Sequence, residues 1–116
     1  MSDFTLVIVE SPYGGTEDKI EEHVAYARAA MADCLARGEA PYASHLLYTQ
    51  PGVLRDGDPA ERALGIAAGL AWGEVAQRTV VYLDHGVTAG MHLGIAAAEN
   101  AGRPVEYRSL AKSTTV

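Results

Sequence analysis

The chain has 116 residues, of which 48% are hydrophobic and 21% charged, and its formal net charge is −6. That length makes one domain with a core of its own, and the negative balance without a basic stripe argues against a nucleic-acid polymer as partner. A small anion stays open as a ligand, because it needs only one or two local cations and a few backbone N–H groups. Cys34 is the single cysteine, which excludes an internal disulfide. Met1-Ser2-Asp3 lacks a basic leader and no apolar stretch is long enough to span a bilayer, so the expectation is a cytoplasmic protein with no membrane partner.

In chain order, Phe4 to Val9 is a continuous apolar run, the pattern of a strand buried on both faces. Thr16 is placed to cap a helix with Glu17 and Asp18 in its first turn, and Gly38 to end it. Pro41 to Tyr48 reads as a second strand, followed by a loop from Gln50 to Gly57. Asp58-Pro59-Ala60-Glu61 is a helix start, with an acid at the cap and proline at the first helical position. This helix is expected to run to about Gln77. Thr79 to Leu83 is a third strand, Ala89 to Ala101 a helix stopped by Gly102, and Val105 to Arg108 a fourth strand. Residues 1–108 form the domain, and 109–116 a loosely held tail.

Strands alternating with helices predict a parallel sheet with right-handed crossovers. The expected fold is a small flavodoxin- or Rossmann-like three-layer α/β domain, with four to five strands in the order 2-1-3-4. The strand order then reverses between the first and third strands, and ligands of open α/β sheets bind at the carboxyl ends of the strands there. Two glycine-bearing loops leave those strands: Ser11-Pro12-Tyr13-Gly14-Gly15-Thr16 and Asp84-His85-Gly86-Val87-Thr88-Ala89-Gly90-Met91.

Gly14 and Gly15 permit close backbone approach to a ligand, and the plainer reading is a tight turn with a cap. The loop is neither a P-loop nor the dinucleotide fingerprint. Asp84 at a strand end is a candidate base or ribose ligand, or else caps the turn at Gly86. Thr88 caps the following helix or touches ligand, and Met91 is a pocket wall or core residue. His45 and His85 are candidates near the site, although histidines satisfied within the structure are the plainer reading. No histidine spacing matches a metal site, so no metal or cofactor is expected. Arg62 is a candidate cation. Gly65, Gly69 and Gly73 make a smooth stripe on one helix, where each glycine costs about 1 kcal/mol relative to alanine. Either a close neighbour within the protomer or a homo-oligomer interface accounts for it.

Together these residues resemble the nucleoside 2-deoxyribosyltransferase-like proteins. The likeness rests on Ser11-Pro12-Tyr13-Gly14-Gly15, Tyr26-Ala27-Arg28, Ser44-His45-Leu46-Leu47-Tyr48, Glu61-Arg62, Asp84 through Gly90-Met91 to Ala96, and Pro104-Val105-Glu106-Tyr107-Arg108. It is strongest with small bacterial and phage relatives. The resemblance implies a homo-oligomer with a nucleoside or nucleotide pocket that includes Arg28 and His45, and by analogy a use in phage–host defence. It also implies a nucleophilic glutamate in a Gly-x-x-x-Glu pattern. Here the glycine is Gly90 and the fourth position onward is Gly94, so that carboxylate is missing. Two readings follow. One is a binder of a nucleoside- or nucleotide-derived molecule without covalent transferase chemistry. The other is an N-glycosidic hydrolase or deoxyribosyltransferase in which Asp84 or Glu61 replaces the missing glutamate.

Overall fold

A computed structural model describes residues 3–55 and 57–110. Four parallel strands, β1 (Thr5–Glu10), β2 (Glu39–Tyr42), β3 (Arg78–Tyr82) and β4 (Val105–Arg108), lie in the order β2-β1-β3-β4. The order predicted from the alternating elements is the observed one. Four helices connect them: α1 (Glu17–Ala36), the single turn α2 (Ser44–Leu47), α3 (Pro59–Trp72) and α4 (Ala89–Asn100).

The period of two along the strands assigns each face its layer. Val7 and Val9 of β1, with Val80 and Tyr82 of β3, point to one face and pack on Tyr26, Ala30 and Cys34 of α1. Val81 points to the other face and packs on Met91 and Ile95 of α4. Ile8 and Glu10 alternate with the α1-facing valines, and Glu10 pairs in register with Val81. Both therefore face the α4 side.

The capping residues act as the sequence leads one to expect. The Thr16 side chain accepts from the Lys19 amide, the Asp58 side chain accepts from the Ala60 and Glu61 amides, and the Thr88 side chain accepts from the Met91 amide. Gly38 takes φ +81° to turn the chain from α1 into β2.

Several boundaries shift by a residue or two, β3 to Arg78–Tyr82 and the end of α4 to Asn100 among them, and three differences bear on the site. The first strand extends one residue further, to Glu10. The second ends at Tyr42, which pairs with Ile8, because the chain then leaves the sheet. From Ala43 it makes one helical turn, in which the Leu46 and Leu47 amides donate to the Ala43 carbonyl. Pro41, which donates no backbone hydrogen bond, fits this short edge strand. Finally, α3 stops at Trp72 rather than near Gln77. Gly73 caps it, and the next turn closes tightly through amide bonds from Glu74 to Ala71 and from Val75 to Trp72 before Gln77 returns to the Leu6 carbonyl.

Ser109 and Leu110, expected to be loose, are held: the Ser109 hydroxyl and the Leu110 amide donate to the Asp84 carboxylate. Leu110 also packs on the α1-side core. The remainder of the expected tail, residues 111–116, lies outside the described residues.

Candidate functional site

No residue of α3 is buried. The helix stands off the sheet and leaves a cavity of about 360 Å³ between itself, the carboxyl end of β1, α2 and the first turns of α4. That volume lies within the usual range for small-molecule sites. Its position is the switch point between β1 and β3, where the strand order reverses.

The walls are built locally. The loop after β1 brings in Tyr13 and Gly14, and the Tyr13 ring stacks on His45 of α2 with centroids 5.4 Å apart and planes 16° from parallel. Tyr42 at the end of β2 and Tyr48 just after α2 form an aromatic side, with the Trp72 ring 5.1 Å from that of Tyr42. Trp72 donates its indole N–H to the Tyr48 hydroxyl at 3.1 Å. The Tyr42 hydroxyl is buried and has no hydrogen-bond partner among the described residues, and this burial pushes its ionisation upward. α3 contributes Glu61, Arg62, Gly65, Ile66 and Gly69; α4 contributes Thr88, Gly90, Leu93 and Gly94.

The glycine stripe serves this site from inside the protomer. A Cβ on Gly65 would lie 3.3 Å from Leu54, and one on Gly69 would lie 3.5 Å from Ser44. At Gly73 it would meet the Leu70 carbonyl at 2.9 Å and the Arg103 guanidinium at 3.1 Å. Gly65 and Gly69 lie within α3 and Gly73 caps it instead of continuing the stripe, and in each case the close neighbour is supplied by the chain itself.

Glu10 is the acid that sequence reasoning missed. A Cβ built on Gly94 would overlap the Glu10 carboxyl group, reaching 2.8 Å from its farther oxygen. β1 therefore sends a carboxyl into the space that a side chain at position 94 would fill. Burial raises the Glu10 carboxyl to about 8, against the weaker pull of the Arg103 charge. Arg103 is itself committed, donating to the Gly73 carbonyl at 2.7 Å and the Thr79 hydroxyl at 3.0 Å. The sequence carries one signal for Glu10: an acid closing an apolar strand, two residues after Ile8 and so on the same face.

Of the residues singled out in the sequence, the cavity gathers Tyr13, Gly14, His45, Glu61, Thr88 and Gly90. Arg62, Gly65, Gly69 and Gly94 also line it, whereas the remaining loop and helix candidates lie outside. Ser11 and Pro12 are fully buried. Gly15 turns the chain at φ +121° and Gly86 at φ +84°. Arg28 is exposed on α1, and Met91 is wholly buried in the α4-side core. His85 sits against the Tyr26 ring at 4.3 Å and within 3.3 Å of the Glu22 carboxylate.

Asp84 lies two residues beyond Tyr82, so strand alternation turns it toward α1. Its amide donates to the Tyr26 hydroxyl at 2.9 Å, and its carboxylate holds Ser109 and Leu110. Glu61 reaches the cavity wall, but its carboxylate accepts from the Arg55 amide at 2.6 Å and the Arg55 guanidinium at 2.7 Å. These bonds hold its carboxyl below the usual range. Among the described residues, no group of three or more His, Cys, Asp or Glu side chains is placed to hold a metal ion, and no helix is long and apolar enough to cross a membrane.

A four-stranded parallel sheet in this order, with a cavity at its switch point, defines a Rossmann-like α/β domain. The model of a protein family described as "Domain of unknown function (DUF7768)" matches residues 5–108, and the chain belongs to that family. No curated protein matches it. Among solved structures, it is similar to the 2-deoxyribosyltransferase of the psychrotolerant bacterium Bacillus psychrosaccharolyticus. The TM-score is 0.65 at 18% identity, over 97% of this chain and 77% of that one. The fold is therefore nucleoside 2-deoxyribosyltransferase-like, as the sequence motifs suggested.

Proposed function

We propose that this chain binds a nucleoside- or nucleotide-derived small molecule in the cavity between β1, α2, α3 and α4, without the covalent transfer chemistry of a glutamate at position 94. The observation that carries this reading is the cavity itself: it combines an aromatic wall with a few convergent polar groups at the switch point. Tyr13 stacked on His45 offers a flat face to a base, and the buried Tyr42 hydroxyl and the Glu10 carboxyl offer hydrogen bonds. Gly90 and Gly94 keep the α4 side open. The structural neighbour supports the ligand class, since it is described as a biocatalyst for nucleoside synthesis. Capture of a nucleotide-derived signal in phage–host defence is one use such a pocket would serve, by analogy. The protomer assembles with copies of itself through the outward face of α3 and the turn beyond it, where Leu64 and Val75 are exposed.

Native mass spectrometry with nucleosides, nucleoside monophosphates and ADP-ribose tests both points, because it reads the oligomer mass and the bound ligand together. A retained nucleoside-derived compound is expected. Tyr13→Ala should weaken its binding roughly tenfold, the scale of one lost base–aromatic stack. Retention of none of these compounds, even at millimolar concentration, would remove the reading.

A further inference from the structure

Glu10 is a carboxyl group inside the proposed pocket whose presence the Rossmann-like framework does not require. The strand position it occupies could hold an apolar residue, as Val81 does beside it on β3. Instead a carboxyl enters the space left by the missing side chain of Gly94. The other two acids considered for chemistry are engaged elsewhere: Glu61 binds Arg55, and Asp84 binds the segment at Ser109 and Leu110.

We propose that Glu10 is the general acid of an N-glycosidic hydrolysis in this cavity, acting on a nucleoside or nucleoside monophosphate. The inference rests on the nucleoside reading above. The O–H of Glu10 gives its proton to a ring nitrogen or carbonyl oxygen of the base as the bond from the anomeric carbon to the base nitrogen breaks, and that bond's electron pair leaves with the base. A water molecule bonds through its oxygen to the anomeric carbon and releases a proton to solvent. Solvent then returns a proton to the Glu10 carboxylate. The products are the free base and the free sugar, and the only co-reactant is water.

Geometry and charge support this assignment. A proton donor is needed where the base departs, and the Tyr13–His45 stack sits on the same cavity to hold a base plane. A carboxyl raised to about 8 still holds its proton at neutral pH and lies close to the operating pH, where general-acid catalysis is most effective. The charged and titratable groups around it are few. Arg103 approaches from beyond α4, Glu61 and Arg62 from α3, and His45 from α2, with the phenols of Tyr13, Tyr42 and Tyr48 completing the wall. Of these, Arg103 is the charge that acts appreciably on Glu10, and it opposes the rise.

The test is product release from the intact protein, with free base separated by chromatography after incubation with the nucleoside and nucleoside monophosphate panel, alongside ligand retention by native mass spectrometry. The expected result is slow release of free base, with a rate that is level in the neutral range and falls about tenfold per pH unit above about 8. Glu10→Gln should lower the rate by at least about 100-fold while retaining the ligand. Gly94→Ala provides a second check. The three atoms nearest its Cβ all belong to the far end of the flexible Glu10 side chain, so the fold should be kept while the carboxyl is displaced, and the rate should fall similarly. Ligand retained with no base released would overturn the acid role and leave the binding reading standing. Base release unchanged in Glu10→Gln would also overturn it. Absence of both binding and release would overturn the two together.

Discussion

Replacing Glu10 by glutamine should stabilise the protein, and the gain should grow with pH. Glutamine has nearly the shape of a protonated glutamate, so the cavity is preserved while the titration is deleted. The folded chain holds the Glu10 proton until about pH 8, whereas the ordinary value is 4.5. Between those limits the native state binds more protons than the unfolded state. The stability associated with this group is therefore complete below about pH 4.5, declines as pH rises, and stops declining above about 8. At about 1.4 kcal/mol per unit, that window sets a ceiling of roughly 5 kcal/mol. Glu10 is only partly buried and its cavity opens to solvent, so water reaching the carboxylate brings the expected loss to on the order of 2 kcal/mol. For a chain of this size that is roughly 10 °C in Tm. Thermal melts of wild type and Glu10→Gln, followed by circular dichroism at about pH 5, 7 and 9, isolate this group, since every other titration is common to both proteins. The two melting temperatures should lie close together at the lowest pH and separate in favour of the variant as pH rises. A constant difference across the series would show that the carboxyl is not desolvated, and the reasoning about Glu10 would fail with it.

Two other perturbations probe the frame around the site. Arg108 and Glu39 form a buried pair at 2.5 and 2.8 Å, with side chains only 4% and 5% exposed. Arg108→Met should cost up to about 3–5 kcal/mol by leaving the buried Glu39 carboxylate with only the 3.5 Å contact to Arg78, measurable by urea unfolding at neutral pH. The Arg108 hydrogen bonds hold the Glu39 carboxyl below its ordinary value. That stabilisation is present above 4.5 and is lost as pH falls through the lowered value, so the gap between the two proteins should narrow in acid; a gap independent of pH would contradict the pairing. Asp84→Asn removes one of the two acceptor oxygens that hold Ser109 and Leu110. Hydrogen exchange at the Leu110 amide should quicken several-fold at a stability cost of about 1 kcal/mol or less. Unchanged exchange would mean that another contact holds this segment.

Much of the frame was legible in the order of residues. Apolar runs bounded by Thr16, Asp58 and Thr88 located the strands and helices, because capping is local chemistry between a side chain and amides two or three residues away. Alternation of strands with helices then left few topologies, and 2-1-3-4 is the one formed. Long apolar runs also hid information. In a strand covered on both faces the pattern does not say which residue faces which layer, so the sidedness of Glu10 and of Asp84 became clear only when α1 and α4 took opposite faces. Ser44 to Leu47 read as strand because its composition suits either state, and the choice was made by the chain leaving the edge of the sheet after Tyr42.

The sequence alone pointed to the switch point between the first and third strands as the place of a pocket, and it established that no carboxylate stands at position 94. Only the tertiary structure decided which acid enters the pocket. Asp84 looked best placed in the sequence but is turned away to hold the segment that follows β4, Glu61 is tied to Arg55, and Glu10 takes the empty space at Gly94. The physical reason is that caps and turns depend on neighbours along the chain. Whether a strand-end carboxyl becomes reactive depends instead on how much water and which charges the packed helices leave beside it.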